Sequence, residues 1–231
     1  MIKVGDIISH TEMCLREKRM LQHGMNFCSA LYQSVILMSR RKGAPYEDEI
    51  QDEGKTLIYE GHDVPRTAGI RDPKIHDQPR TTKNGKLTPN GKFEHAASAF
   101  KSGSSAAELV RVYEKIKDGI WTYNGVFRLV DSFEIRSDKR TVFKFRLELT
   151  DADTPESTGR PHDLDYDRLI PSAVKLEVYR RDQGQCVICG KKDNLHFDHD
   201  FPFAKGGTSI SAKNIRLLCM RHNLEKSDRI E

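Results

Sequence analysis

Two pairs of metal-ligand residues stand near the C-terminus of this 231-residue chain, Cys186-Val187-Ile188-Cys189 and Cys219-Met220-Arg221-His222. Each pair has two residues between its members, which lets both side chains reach one tetrahedral ion while the chain between them turns tightly. Three thiolates and an imidazole would close the shell of Zn2+, with Zn–S near ~2.3 Å and Zn–N near ~2.0 Å. A closed shell leaves no position for a substrate, so the expected zinc is structural. The five cysteines are an odd number, which argues against a fully paired disulfide framework, and Cys14 and Cys28 read as ordinary buried thiols. Between and after the pairs stand Asp198-His199, Asn214 and Asn223, side chains able to hold a hard cation or move a proton.

The order Cys-x-x-Cys, Asp198-His199, Pro202, Gly206-Gly207, Asn214, Cys-x-x-His, Asn223, Lys226 resembles the zinc-containing HNH, or ββα-metal, nucleases over residues 170–231. Phosphodiester hydrolysis needs a nucleophile, neutralised phosphate charge and help for the leaving oxygen. The resemblance implies that His199 is the general base for water and that Asn214 orients it. It also implies that Asp198 and Asn223 hold the catalytic metal. The family often has His at the last position, so Asn223 supplies oxygen instead of nitrogen and makes Mg2+ or Mn2+ the expected ion. His222 stands where the family usually has the last zinc cysteine; taking it as catalytic would leave the zinc one ligand short. Neighbours in a regular strand face opposite ways, so Asp198 and His199 can serve one site only through an irregular backbone.

These residues need elements to position them. Pro171 suits a helix start, and Val174 with Val178, or Ala173 with Leu176, gives apolar contacts at helical spacing. Residues 151–169 are rich in Pro, Gly, Ser, Thr and acids and read as a linker. Residues 1–150 hold 25 basic and 20 acidic side chains, residues 151–170 hold 2 and 6, and residues 171–231 hold 11 and 8. An acidic hinge therefore separates two mildly basic parts, compatible with nucleic-acid binding.

In the N-terminal part, Phe143, Phe145, Leu147 and Leu149 alternate with polar residues as in a half-buried strand. Ser34–Met38, Leu57–Tyr59 and Leu109–Tyr113 are further strand candidates, and Asn124-Gly125 between two apolar runs predicts a hairpin turn. Helices are expected over 93–102, from Phe93, Ala96, Ala97 and Phe100, and over 11–23.

The segments Ser34–Ser39, Gly43–Glu49 and Gly54–Asp63, with Val110-Arg111-Val112 and Tyr123–Val130, resemble SRA (SET- and RING-associated) domains across residues 1–150. Such domains flip 5-methylcytosine or 5-hydroxymethylcytosine out of double-stranded DNA. The resemblance implies that Tyr46 and Tyr59 sandwich the flipped base, that Glu49 accepts its exocyclic amine, and that the Leu21-Gln22-His23-Gly24 loop fills the vacated stack. The family usually has Asp at the position of Glu49, Thr at Glu60, and glycines at Ala44 and Pro45. The alternative is that Tyr46 and Tyr59 are core aromatics of an unrelated β domain. His62, His95 and His196 read as surface or satisfied histidines.

The expected fold class is α+β: a mostly β SRA-like domain (1–150) with a few helices, a linker (151–169) and a small ββα-metal HNH domain (170–231). The expected function is a modification-dependent restriction endonuclease, with two protomers in a homodimer as one way to cut both strands. Alternatives are an HNH endonuclease or nickase indifferent to modification, and a non-catalytic zinc-stabilised DNA-binding module. No run of ~18 apolar residues and no apolar leader is present, so a cytoplasmic bacterial protein that does not enter membranes is expected.

Overall fold

The apolar strand candidates of the N-terminal part become strands of one sheet. The computed structural model describes residues 2–28, 33–67, 69–136, 139–150, 170–200 and 211–226. The expected linker, Pro202 and Gly206-Gly207 lie outside these residues. The first unit runs β1 (Ile7–Ser9), α1 (His10–Arg16), β2 (Met25–Asn26), β3 (Ser34–Met38), β4 (Glu49–Gln51) and β5 (Thr56–Glu60). It continues with α2 (Pro89–Lys101), β6 (Glu108–Lys117), β7 (Ile120–Arg136) and β8 (Thr141–Leu149). The sheet order is β2-β3-β6-β7-β8-β5-β4, with β1 paired to β7 off this path. All neighbours are antiparallel except β3 and β6.

Helix α2 begins earlier than its apolar spacing alone suggests. Thr88 caps it, its hydroxyl accepting from the Gly91 N–H at 3.3 Å, and Pro89 pre-sets the first turn. Phe93 and Ala97, four residues apart, bury one face against Phe143, Phe145 and the rest of the sheet core. Helix α1 is shorter than the expected 11–23. Ser9 caps its start, and the chain leaves the helix at Glu17 before Lys18 takes a left-handed φ of +52°.

Asn124-Gly125 does not make the expected turn. The connection is at Asp118-Gly119, where Gly119 has a φ of +76°. Within β7, Gly125 pairs with Val112 and Tyr123 with Tyr113, so Asn124 is the extra residue of a β-bulge. The positive φ that favours glycine is present, +102° at Gly125, but it serves the bulge. Strand β8 also departs from the half-buried expectation, because Lys144 on its polar face is buried by an ion pair described below.

The C-terminal unit comprises α3 (Ser172–Arg181), the antiparallel hairpin β9 (Leu195–His199) and β10 (Ile215–Cys219), and α4 (Met220–Lys226). Val174 and Val178 of α3 pack on Leu195, Phe197, Ile215 and Leu217. Ala173 is exposed and Leu176 half-buried, so the first of the two expected spacings forms the core contact. No helix among the described residues is long and apolar enough to cross a membrane.

Contacts on two sides join the units. Near the start of the chain, Asp6 forms a β-bridge with His196, and the Phe197 N–H donates to the Gly5 carbonyl at 3.4 Å. On the other side, the Lys175 ammonium of α3 reaches into the first sheet. It donates to Glu114 Oε2 at 2.9 Å and to Asn124 Oδ1 at 2.7 Å, while the Asn124 amide donates to Glu114 at 3.1 Å. All three side chains are buried. Burial alone would raise the Glu114 pKa, but Lys175 and the hydrogen bonds around it outweigh burial and hold the carboxyl below its usual range.

Lys175→Ala would leave the Glu114 carboxylate buried without its cation, which should cost about 3–5 kcal/mol in chemical denaturation. Replacing both charges, as in Lys175→Met with Glu114→Leu, should restore most of that loss.

Candidate functional site

A cavity of about 560 Å3 opens between β3, the loop before β4, the end of β5 and the loop that follows α1. Tyr46, Asp48, Tyr59 and His62 line it, with residues 21–24 on another side. Tyr59 is fully buried and its hydroxyl shares a hydrogen bond with His62 Nε2 at 3.1 Å. The His62 ring stacks on Tyr46 with centroids 5.3 Å apart and planes 11° apart, and lies tilted to Tyr59 at 6.3 Å. The Lys74 ammonium sits 4.2 Å from the Tyr46 ring centroid and 3.0 Å from Asp63. Burial, followed by the neighbouring His23, lowers the His62 pKa to about 4, so the imidazole is a flat neutral ring at neutral pH.

The carboxylate in this cavity is Asp48, not Glu49. Glu49 pairs with Ile58 on β4, at the end of the sheet order, with an exposed side chain, and it does not line the cavity. Asp48 Oδ2 accepts from the Ser39 N–H at 3.0 Å and Oδ1 from the Glu60 N–H at 3.1 Å. Each oxygen retains a second acceptor direction. Burial drives the Asp48 pKa up to about 6 against those two hydrogen bonds. Loop 21–24 lies where it was expected, beside the cavity, but Leu21 belongs to the core and only Gln22 and His23 are exposed. Gly24 is required there, since a Cβ would lie 2.7 Å from the Tyr59 hydroxyl and 2.8 Å from His62 Nε2.

Behind the cavity, a charge network fixes its walls. Glu60 accepts from Lys144 at 3.1 Å, Arg140 at 3.0 Å and the Glu47 N–H at 3.1 Å. Lys144 also donates to the Glu47 carbonyl at 2.8 Å, and Arg140 bonds Asp63. Asn90 of α2 holds the His62 backbone through both its N–H, at 2.8 Å, and its carbonyl, at 2.9 Å.

The metal-ligand spacing is realised in the C-terminal unit. The ligand atoms of Cys186, Cys189, Cys219 and His222 all lie within 4.8 Å of one another. Cys189 and Cys219 sulfurs are 3.8 Å apart, and His222 Nδ1 lies 3.3 Å from Cys186 Sγ and 3.5 Å from Cys219 Sγ. Those separations match the ~3.8 Å edges of a sulfur tetrahedron drawn at ~2.3 Å from zinc. The donor set therefore fits a structural zinc ion. Burial opposes ionisation of Cys186, yet hydrogen bonds from the surrounding backbone and His222 bring its thiol down to about 6. Gly190, with a φ of +73°, turns the chain after the first pair and donates to the Cys186 carbonyl at 2.8 Å.

The remaining expected residues lie on and around the same hairpin. Strand β9 keeps a continuous register through the pairs Asp198–Arg216 and His199–Ile215, so the irregularity expected at this pair is not present within the strand. Asp198 is bonded by the Lys226 ammonium of α4 at 2.5 Å, and Lys226 also reaches the His199 carbonyl. Asn223 is half-buried one turn before Lys226 on α4, and the Asn214 carbonyl accepts from the Asp200 N–H at 2.7 Å. Burial, partly offset by Asp198 and reinforced by Lys226, lowers the His199 pKa, which favours the neutral imidazole. No second group of three His, Cys, Asp or Glu donors comes together among the described residues.

No family model and no curated protein matches the chain. Among solved structures it is similar to a SUVH5 SRA domain in complex with methylated CHH DNA, at a TM-score of 0.46 and 20% identity over 69% of this chain and 92% of that one. It is also similar to SUVH5 SRA bound to fully hydroxymethylated CG DNA, at 0.44 and 20% over 69% and 92%. Arabidopsis thaliana SUVH6 in complex with SAM is similar at 0.41 and 20%, over 75% of this chain and 28% of that one.

The contacts of three residues of this region are not readable from sequence. Asp48 is separated from the expected Glu49 by one position, and only the strand pairing reveals which carboxylate turns inward. His62 reads in sequence as a surface or satisfied histidine and Lys226 only as the end of a motif, because their partners are 16 and 28 residues away at Tyr46 and Asp198.

Purified protein should contain one zinc per chain by elemental analysis. Cys219→Ser should lose that metal and lower the thermal stability of the C-terminal unit, since metal binding is coupled to folding in a small domain. Zinc-free, fully folded protein would contradict the assignment.

Proposed function

We propose that this chain binds double-stranded DNA carrying a modified cytosine, receives that base in the cavity of the first unit, and cuts the DNA with its C-terminal unit. The observation that carries the reading is the slot beside Tyr46 and Tyr59. It already accommodates a flat neutral ring, that of His62, and has a half-buried carboxylate on its wall. A cytosine entering the slot would exchange with His62 for the face of Tyr46 and donate its exocyclic amine to a free acceptor direction of Asp48. The preference for 5-methylcytosine or 5-hydroxymethylcytosine rests on the resemblance of residues 1–150 to SRA domains. The exposed Gln22 and His23 are the side chains of loop 21–24 available to fill the gap left in the stack.

For the cutting step, the proposed residues are His199, Asp198, Asn214 and Asn223. His199, favoured as the neutral imidazole, would take the proton from the attacking water. Asp198 and Asn223 would supply two oxygen ligands for Mg2+ or Mn2+, within the range such ions accept when phosphate and water complete the shell. That ion would neutralise charge on the scissile phosphate and the leaving oxygen. Lys226 must first release Asp198, whose carboxylate it now neutralises. The same ion pair favours a second reading, a zinc-stabilised DNA-binding module without cleavage. Incubating plain, methylated and hydroxymethylated duplexes with the protein and Mg2+ separates the two.

Ionised Asp48 accepts from the amine and protonated Asp48 does so poorly, so the preference for modified over plain duplex should fall as pH drops through about 6. Stability runs in the same pH window with the opposite sign. Because the folded pKa is raised, the ionised form is the costly one, and stability falls as pH rises from the unfolded value toward 6. Asp48→Asn should weaken binding of modified duplex about tenfold, the loss of a charge-assisted hydrogen bond, and flatten the pH dependence of the preference. Fluorescence anisotropy across this range checks both, and an unchanged preference in Asp48→Asn would place the carboxylate outside recognition.

His199→Ala should abolish cleavage of modified duplex and leave its affinity within about twofold, since the base acts in the chemical step. Gel analysis of cut products alongside anisotropy reads the two quantities separately.

A further inference from the structure

Arg41 lines the base cavity and also a groove of about 550 Å3 whose walls come from both units. The groove takes Arg41 and Lys42 from the loop after β3, Lys117 from the end of β6, and Tyr179 and Arg180 from α3. A smaller depression with Arg40, Lys115 and Ser172 shares the Arg41–Lys42 wall. Among the described residues no carboxylate lines the groove itself. Arg41 and Lys115 share the exposed Asp118, at 3.1 and 3.0 Å. Lys42, Lys117 and Arg180 form no ion pair among the described residues and are exposed.

Exposed cations without carboxylate partners repel one another, and a polyanion laid along them relieves that repulsion. A phosphate backbone fits this chemistry, and Tyr179 and Gln183 add neutral donors of the kind that bind phosphate oxygens. The position matters as much as the charge. Through Arg41 the groove adjoins the cavity proposed for the flipped base, and on its far side it meets the C-terminal unit. Lys175, five residues before Arg180 on α3, is locked into Glu114 and Asn124, so the two walls are fastened together.

We infer that this inter-unit groove holds the phosphate backbone flanking the flipped nucleotide and guides it from the base cavity toward the C-terminal unit. The inference rests on the DNA-binding reading above but not on the identity of the recognised base. It implies that the distance between the modified base and the cut is set by protein geometry on one flank.

The test uses the full chain with Lys42→Ser, Lys117→Ser and Arg180→Ser combined, all at exposed positions, with thermal melting to verify folding. Binding to modified and plain duplexes is measured across a salt series, with hydroxyl-radical footprinting of the modified duplex. The slope of log affinity against log salt should become shallower by about 0.9 for each phosphate that the variant no longer neutralises. Affinity for both duplexes should fall at least tenfold, with their ratio preserved. Protection should shrink on one flank of the modified base and persist at the base itself. Unchanged slope and footprint in the folded triple variant would overturn the groove. A wild-type protein without preference for modified duplex, whose triple variant still shows the shallower slope, would refute the base reading and leave the groove standing.

Discussion

The buried carboxylate of Glu60 is the constraint on which the cavity depends. It lies at the end of β5, one residue past Tyr59, and gathers Lys144, Arg140 and the Glu47 N–H around it. A buried carboxylate must be paired and hydrogen-bonded or it destabilises the fold. Here its partners come from β8, from the segment before it and from the loop carrying Tyr46 and Asp48, so satisfying Glu60 also fixes that loop. The Glu60 backbone N–H then donates to Asp48, which ties the carboxylate on the cavity wall to the same anchor. The acidic residue at this position is accompanied by the two cations, Lys144 and Arg140, that surround it.

A second buried charge cluster plays a comparable part between the units. Asn124 leaves the ladder of β7 because of the bulge at Gly125, and that displaced side chain is what Lys175 meets on entering the sheet. The bulge, the ion pair and the position of α3 are therefore one arrangement. Without it, α3 would meet the first sheet only through side chains at its surface, and units joined in that way normally shift against each other.

The parts of this architecture that were legible in sequence are those encoded by local period or spacing. The Cys-x-x-Cys and Cys-x-x-His pairs assemble because each pair needs only a tight turn. Strand β8 follows from an apolar period of two, strands β3, β5 and β6 from short apolar runs or β-branched and aromatic content, and helix α2 from a spacing of about 3.6. Asn124-Gly125 misled because positive φ is a property of a backbone position, and a bulge requires it as a turn does. Glu49 misled because neighbouring residues in a strand alternate faces, and a shift of one position exchanges inside for outside. The contacts of His62 and Lys226 were not legible because they come from packing between segments distant in the chain. The continuous register of β9 shows why adjacency of Asp198 and His199 in sequence was not by itself a description of a site.

The pairing of Gly5 and Asp6 with Phe197 and His196 spans some 190 residues of chain. Pairings of such separation form late, because the entropy of closing the intervening loop is offset only after both ends carry their own structure. Residues 5 and 6 precede β1, which lies against β7, and the hairpin they join is complete only once Cys219 and His222 have been added. During synthesis residues 5 and 6 must therefore wait for some 190 further residues before they meet their final neighbours. Until the hairpin forms, the edge of β9 and the residues beside β1 stay open together, the period in which a nascent chain of this kind is most exposed to pairing with another copy.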